Sequence, residues 1–124
     1  MKRANIAVLV SGGGTNLQAL LDAERAGIIK SGSITLVVSN VRGAYALERA
    51  KTAGVRAEVI SKRELGSQEA FEAELAKLLE SCSIDLIVLA GFMSILTADF
   101  TSKYPNRIIN VHPALIPSFC GKGF

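Results

Sequence analysis

Five short apolar runs, separated by segments whose apolar residues recur at helical spacing, leave this chain few ways to fold. Residues 5–10, 33–39, 57–61, 85–92 and 107–112 read as strands; 15–26, 44–53, 67–81 and a shorter stretch at 97–103 read as helices. Gly27 and Gly54 stand as helix stop signals, and Ser67 ahead of Ala70 and Phe71 as a helix start. The runs IAVLV, LIVLA and RIINV are apolar throughout rather than alternating, as in strands covered on both sides. This alternation implies an α/β fold: a doubly wound, mostly parallel sheet with helices on both faces. At 124 residues one core and one domain, 1–124, are expected. Such sheets bind ligands beyond the carboxyl ends of their strands, which directs attention to the positions after Val10, Ala90 and Val111.

Several function classes recede on composition. No apolar run approaches the roughly 18 residues that cross a bilayer, so no membrane partner is expected. The opening MKRANIAVLVSGGG has two basic residues and a short apolar run, but no small-residue cleavage site after a long enough apolar region; it reads as a first strand. Fourteen Lys and Arg against eleven Asp and Glu give a net charge of +3, and these basic residues are scattered. That leaves an anionic ligand open and gives no nucleic-acid footprint. Cys82 and Cys120 are too few and too ill-spaced for a disulfide framework or a zinc site, so a reducing cytoplasm and no metal are expected.

Between the first strand and first helix stand Gly12, Gly13 and Gly14, then Thr15 and Asn16. Bare backbone there lets N–H groups approach a ligand, and a helix start adds unpaired donors and about half a unit of positive charge. A phosphate is the natural occupant. A tight turn with Thr15 as helix cap explains the same residues without a ligand. The loop lacks the Gly-Lys-Ser/Thr of a Walker A motif, and Leu17 stands where the dinucleotide fingerprint needs a third glycine. The second strand ends in Ser39 and Asn40, with no acidic residue for a ribose diol, which favours a single phosphate over a dinucleotide.

Near the other end, NVHPALIPSF places Asn110 and His112 two apart on one strand, hence on one face. A lone histidine is often structural. Beside an amide donor it also suits acyl transfer, with Asn110 donating to a developing oxyanion and His112 donating or carrying a proton. No serine or cysteine stands there as an evident nucleophile, so direct attack by a substrate amine is the simpler chemistry. In LIVLAGFMSILT, Gly91 permits close approach of a substrate, and Phe92, Met93, Ile95 and Leu96 form either core or an apolar wall for a flat heterocycle, with backbone amides around 93–96 pairing with its polar edge.

With SGGGTNLQAL, LAGFMSIL and INVHPALIPSF in order and at matching spacing, the chain resembles the phosphoribosylglycinamide formyltransferase family from Ile6 to about Gly121. The resemblance implies formyl transfer from 10-formyltetrahydrofolate to the amine of glycinamide ribonucleotide. Gly14, Thr15 and Asn16 would bind the ribonucleotide phosphate, with Gly91 and Gln68 also on the substrate side. Phe92, Met93, Ser94, Ile95 and Leu96, together with Asn110, would line the folate site, and Asn110 with His112 would stabilise the tetrahedral intermediate. Ser94 stands where many relatives have arginine, and Gln68 where they often carry a basic residue. The family continues into an Asp-x-Gly-Pro segment bearing a catalytic aspartate, whereas this sequence stops at Phe124. The resemblance therefore implies an amino-terminal portion with little or no activity by itself; separately, an incomplete chain would leave an unpaired final strand as an edge open to self-association. Methionyl-tRNA formyltransferase is similar around Asn-x-His-Pro, formyltetrahydrofolate hydrolase usually has a second histidine where Pro113 stands, and a non-catalytic phosphate-binding module is the alternative outside enzymes.

Overall fold

In the computed structural model of the chain, residues 4–27, 32–94 and 96–111 are described. Five strands, β1 (Ala4–Val10), β2 (Gly32–Ser39), β3 (Arg56–Val59), β4 (Leu86–Ala90) and β5 (Ile108–Val111), form one sheet in the order β3-β2-β1-β4-β5. Every pairing is parallel. The connecting helices are α1 (Thr15–Arg25), α2 (Tyr45–Thr52), α3 (Lys62–Leu65), α4 (Gln68–Ser81) and α5 (Ala98–Thr101).

The central strands β1 and β4 are apolar on both faces because each face meets a helical layer. Along β1, Val8 and Val10 pack with Leu17 and Leu21 of α1 and Ala46 and Ala50 of α2. Ala7 and Leu9 pack with Phe71, Leu75 and Leu79 of α4 and Phe100 of α5. Residues Ala7 to Val10 are wholly buried, each contributing to one of two cores. Burying a Leu or Val side chain is worth about 1.5–3 kcal/mol, and these two layers hold the central strands in place.

Local signals end the elements where expected. The amides of Gly27 and Gly54 bond back to the carbonyls of Glu24 and Lys51, closing α1 and α2. Ser67 caps α4, its hydroxyl oxygen accepting from the Ala70 amide at 3.1 Å. The sheet is parallel throughout the described residues rather than mostly so. The strand expected at 57–61 runs Arg56–Val59, because Ser61 leaves it to cap the single turn α3, accepting from the Glu64 amide. That turn buries no residue, so no apolar period announced it. Among the described residues, no helix is long and apolar enough to cross a membrane.

Candidate functional site

The sheet order creates a crevice. From β1 the chain turns onto the layer of α1 and α2, and from β4 onto the layer of α4 and α5, so the loops after these adjacent strands part to opposite sides. The glycine loop lies on one lip. Gly14 has φ +82°, and a β-carbon there would stand 2.7 Å from Ala46 Cβ and 2.8 Å from Ala46 Cα, so only glycine fits. Gly12 and Gly13 differ: neither has positive φ, and a β-carbon on either would meet nothing within 4 Å. The fold does not require glycine at those two positions, and the space they leave faces outward.

Hydrogen bonds determine where this backbone points. The Gly12 carbonyl accepts from the Ala46 amide at 3.1 Å and the Gly13 carbonyl from Arg49 Nε at 2.7 Å, both groups belonging to α2. A trans peptide sets its N–H opposite its carbonyl, so the N–H groups of Gly13 and Gly14 turn away from α2. Gly14, not Thr15, occupies the cap position of α1, and no side chain caps that helix. The intrahelical ladder begins with the Gln18 amide bonding to the Gly14 carbonyl. The amides of Thr15, Asn16 and Leu17 therefore have no partner among the described residues, and no acidic residue occupies the first turn. A run of backbone donors at a helix start is suited to an anion.

The second lip is tied to the first. The Ser11 hydroxyl, 8% exposed, donates to Asn40 Oδ1 at 2.6 Å and accepts from the Met93 amide at 2.7 Å, joining the loops that follow β1, β2 and β4. Asn16 Nδ2 lies 3.7 Å from where a β-carbon on Gly91 would stand, and Gly91 has φ +70°. Gly14, Thr15, Asn16 and Gly91 thus share the crevice mouth. Phe92 stacks on Phe71 at 6.4 Å and Leu96 packs against the α4 layer, so both act as core. Met93 is 83% exposed, its N–H committed to Ser11, and Ser94 is half-buried beside it. Ile95 lies outside the described residues.

The loop after β4 is anchored again at its far end. Glu72 on α4 accepts from the Thr97 amide at 2.7 Å and the Thr97 hydroxyl at 2.6 Å, and from Gln68 Nε2 at 2.7 Å. Burial pushes the Glu72 carboxyl up, but these hydrogen bonds and the charge of Lys103 outweigh it, leaving the carboxyl below its usual range. Gln68 is accordingly engaged within the first turn of α4. Asn110 is exposed on β5, in register with Leu89 and so on the α4 side of the sheet. It stands two strand spacings, about 10 Å, from β1. His112 lies outside the described residues. A groove of about 290 Å³ at the β3 edge is lined by Glu58, Glu74 and Lys77 among others, two acidic residues to one basic, which suits an anion less well than the glycine loop.

Sequence reasoning missed Ser11, Arg49 and Glu72 as organisers of this site. Ser11 and Arg49 act on partners 29 to 82 positions away, so no local spacing marks them. A serine directly after an apolar run was the one available hint.

A profile described as Formyl transferase matches residues 4–123. The chain is 43% identical over 117 residues to the phosphoribosylglycinamide formyltransferase of Escherichia coli (strain K12), covering 94% of this chain and 55% of that protein. It is 44% identical over 123 residues to the trifunctional purine biosynthetic protein adenosine-3 of Drosophila melanogaster, covering 97% of this chain and 9% of that one. The crystal structure of glycinamide ribonucleotide transformylase 1 from Symbiobacterium toebii superposes with a TM-score of 0.83 at 44% identity, over 96% of this chain and 56% of that one. The chain thus spans about half the length of these bacterial relatives and a small part of the trifunctional one.

Proposed function

The chain belongs to the formyl transferase family, and from that premise we propose that it serves formyl transfer from 10-formyltetrahydrofolate to the amine of glycinamide ribonucleotide, in cytoplasmic purine synthesis. The acceptor's phosphate sits on the N–H groups of residues 13–17, with the Thr15 hydroxyl and Asn16 carboxamide beside it. The donor lies along the loop after β4, against Met93 and Ser94. The acceptor amine attacks the formyl carbon, a C–N bond forms, the bond to the donor nitrogen breaks, and the proton lost by the amine is taken up by that nitrogen. Asn110 donates to the oxyanion of the tetrahedral intermediate, a contact of the kind worth about a hundredfold to a thousandfold in rate. His112 donates to or shuttles a proton at the same centre.

The observation that carries this reading is the outward turn of the Gly13 and Gly14 N–H groups at an uncapped helix start. Names of the relatives support the choice of acceptor. Initial rates of formyl transfer by the protein carrying this sequence, with glycinamide ribonucleotide or initiator tRNA as acceptor, test it. Transfer to the ribonucleotide alone is expected; transfer to the tRNA alone would overturn it.

A further inference from the structure

Arg49 reaches from α2 to the underside of the glycine loop. Its Nε donates to the Gly13 carbonyl at 2.7 Å, one terminal nitrogen donates to Gln18 Oε1 at 3.2 Å, and its guanidinium carbon stands 4.9 Å from the Tyr45 ring centroid. Three contacts in three directions immobilise a side chain that otherwise has many rotamers. Arg42, Lys51 and Arg56 each face a carboxylate, of Glu64, Glu48 and Glu58, whereas no carboxylate pairs with Arg49 among the described residues.

The bond to the Gly13 carbonyl sets the plane of the Gly13–Gly14 peptide. If that carbonyl were free to rotate, the Gly14 N–H would lose its direction, since both belong to one rigid unit. Gln18 and Tyr45 meanwhile hold the guanidinium behind the loop, so its charge adds to that of the helix start from the far side of the donors.

Building on the ribonucleotide reading above, we infer that Arg49 is a positioning residue for the acceptor's phosphate: it acts through the Gly13–Gly14 peptide, which it aims, and makes the site select phosphorylated acceptors. Lysine would retain the charge but not the planar fork that spans Gly13 and Gln18.

Calorimetric binding of glycinamide ribonucleotide and of its unphosphorylated riboside to the protein carrying this sequence tests the inference, with wild type, Arg49→Lys and Arg49→Met compared. The wild type is expected to prefer the ribonucleotide. Arg49→Lys is expected to lose about tenfold of that preference, the loss of one hydrogen bond to a charged group, and Arg49→Met more. Riboside affinity should move by less than about twofold, which a merely structural defect would not spare. If the wild type prefers the ribonucleotide and Arg49→Lys retains the full preference, or if both ligands weaken equally, the inference is overturned alone. No preference in the wild type would overturn the ribonucleotide reading and this inference with it. Thermal melting of each variant reports folding, and Arg49→Lys, which conserves charge and most of the stem, decides the matter should Arg49→Met not fold.

Discussion

Three consecutive glycines have different reasons for being glycine, and substitution separates them. At Gly14 a methyl group would enter the backbone of α2 from a left-handed conformation, so Gly14→Ala should destabilise the fold by at least about 2 kcal/mol in denaturant titration. At Gly13 nothing obstructs a methyl group, so Gly13→Ala should leave stability unchanged or raise it by up to about 1 kcal/mol. The same methyl group would stand at the donors, and ribonucleotide affinity should fall at least about tenfold, the equivalent of roughly 1.4 kcal/mol. Equal behaviour of the two variants in both measurements would contradict this division. The sequence already showed bare backbone at these positions, because absent side chains are visible in a string of letters. Which glycine serves the fold and which the ligand depends on Ala46, some thirty positions away, and so was not legible.

Secondary-structure elements were legible in kind and less so at their ends. The apolar runs and the Ser67 cap announced β1, β2, β4 and α4, while α3, a single turn with no buried residue, left no periodic trace. The loop after β4 owes its course to two polar ties that no spacing reveals, Met93 to Ser11 and Thr97 to Glu72. Ser11→Ala removes the acceptor of the Met93 amide and the donor to Asn40 together, and should lower stability by about 1–2 kcal/mol as read from thermal or denaturant unfolding. Glu72 gives a pH test. Its folded carboxyl lies below the ordinary range, so the stability it contributes is full above the unfolded-state pKa and is lost as pH falls through the lowered folded value. Glu72→Gln should therefore flatten the acid limb of the stability-against-pH curve, measured by urea unfolding. An unchanged slope would show that the Thr97 tie does not bear on folding.

For the molecule as a whole, the two-sided hydrophobicity of the strands was enough to establish a doubly wound sheet. It was not enough to order it, since strand order is decided by which way each crossover returns. The order β3-β2-β1-β4-β5 matters to function because it sets the Gly12–Gly14 turn beside Gly91, with Asn110 one strand further on. Of the acyl-transfer pair read from NVHPALIPSF, the structure places Asn110 at the carboxyl end of the sheet, and His112 enters as a proposal. Leu9, wholly buried at the centre of this arrangement, should cost about 2–5 kcal/mol when replaced by alanine, as measured by denaturant unfolding, because its neighbours on α4 and in the adjoining strands are fixed by both layers. The central claim is that the N–H groups of residues 13–17 hold the acceptor's phosphate. Its most direct test is a titration of isotope-labelled protein with glycinamide ribonucleotide, followed by backbone amide chemical shifts. The largest shifts should fall on Gly13, Gly14, Thr15, Asn16 and Leu17; shifts centred on the groove at Glu58, Glu74 and Lys77, with the glycine loop unmoved, would contradict it.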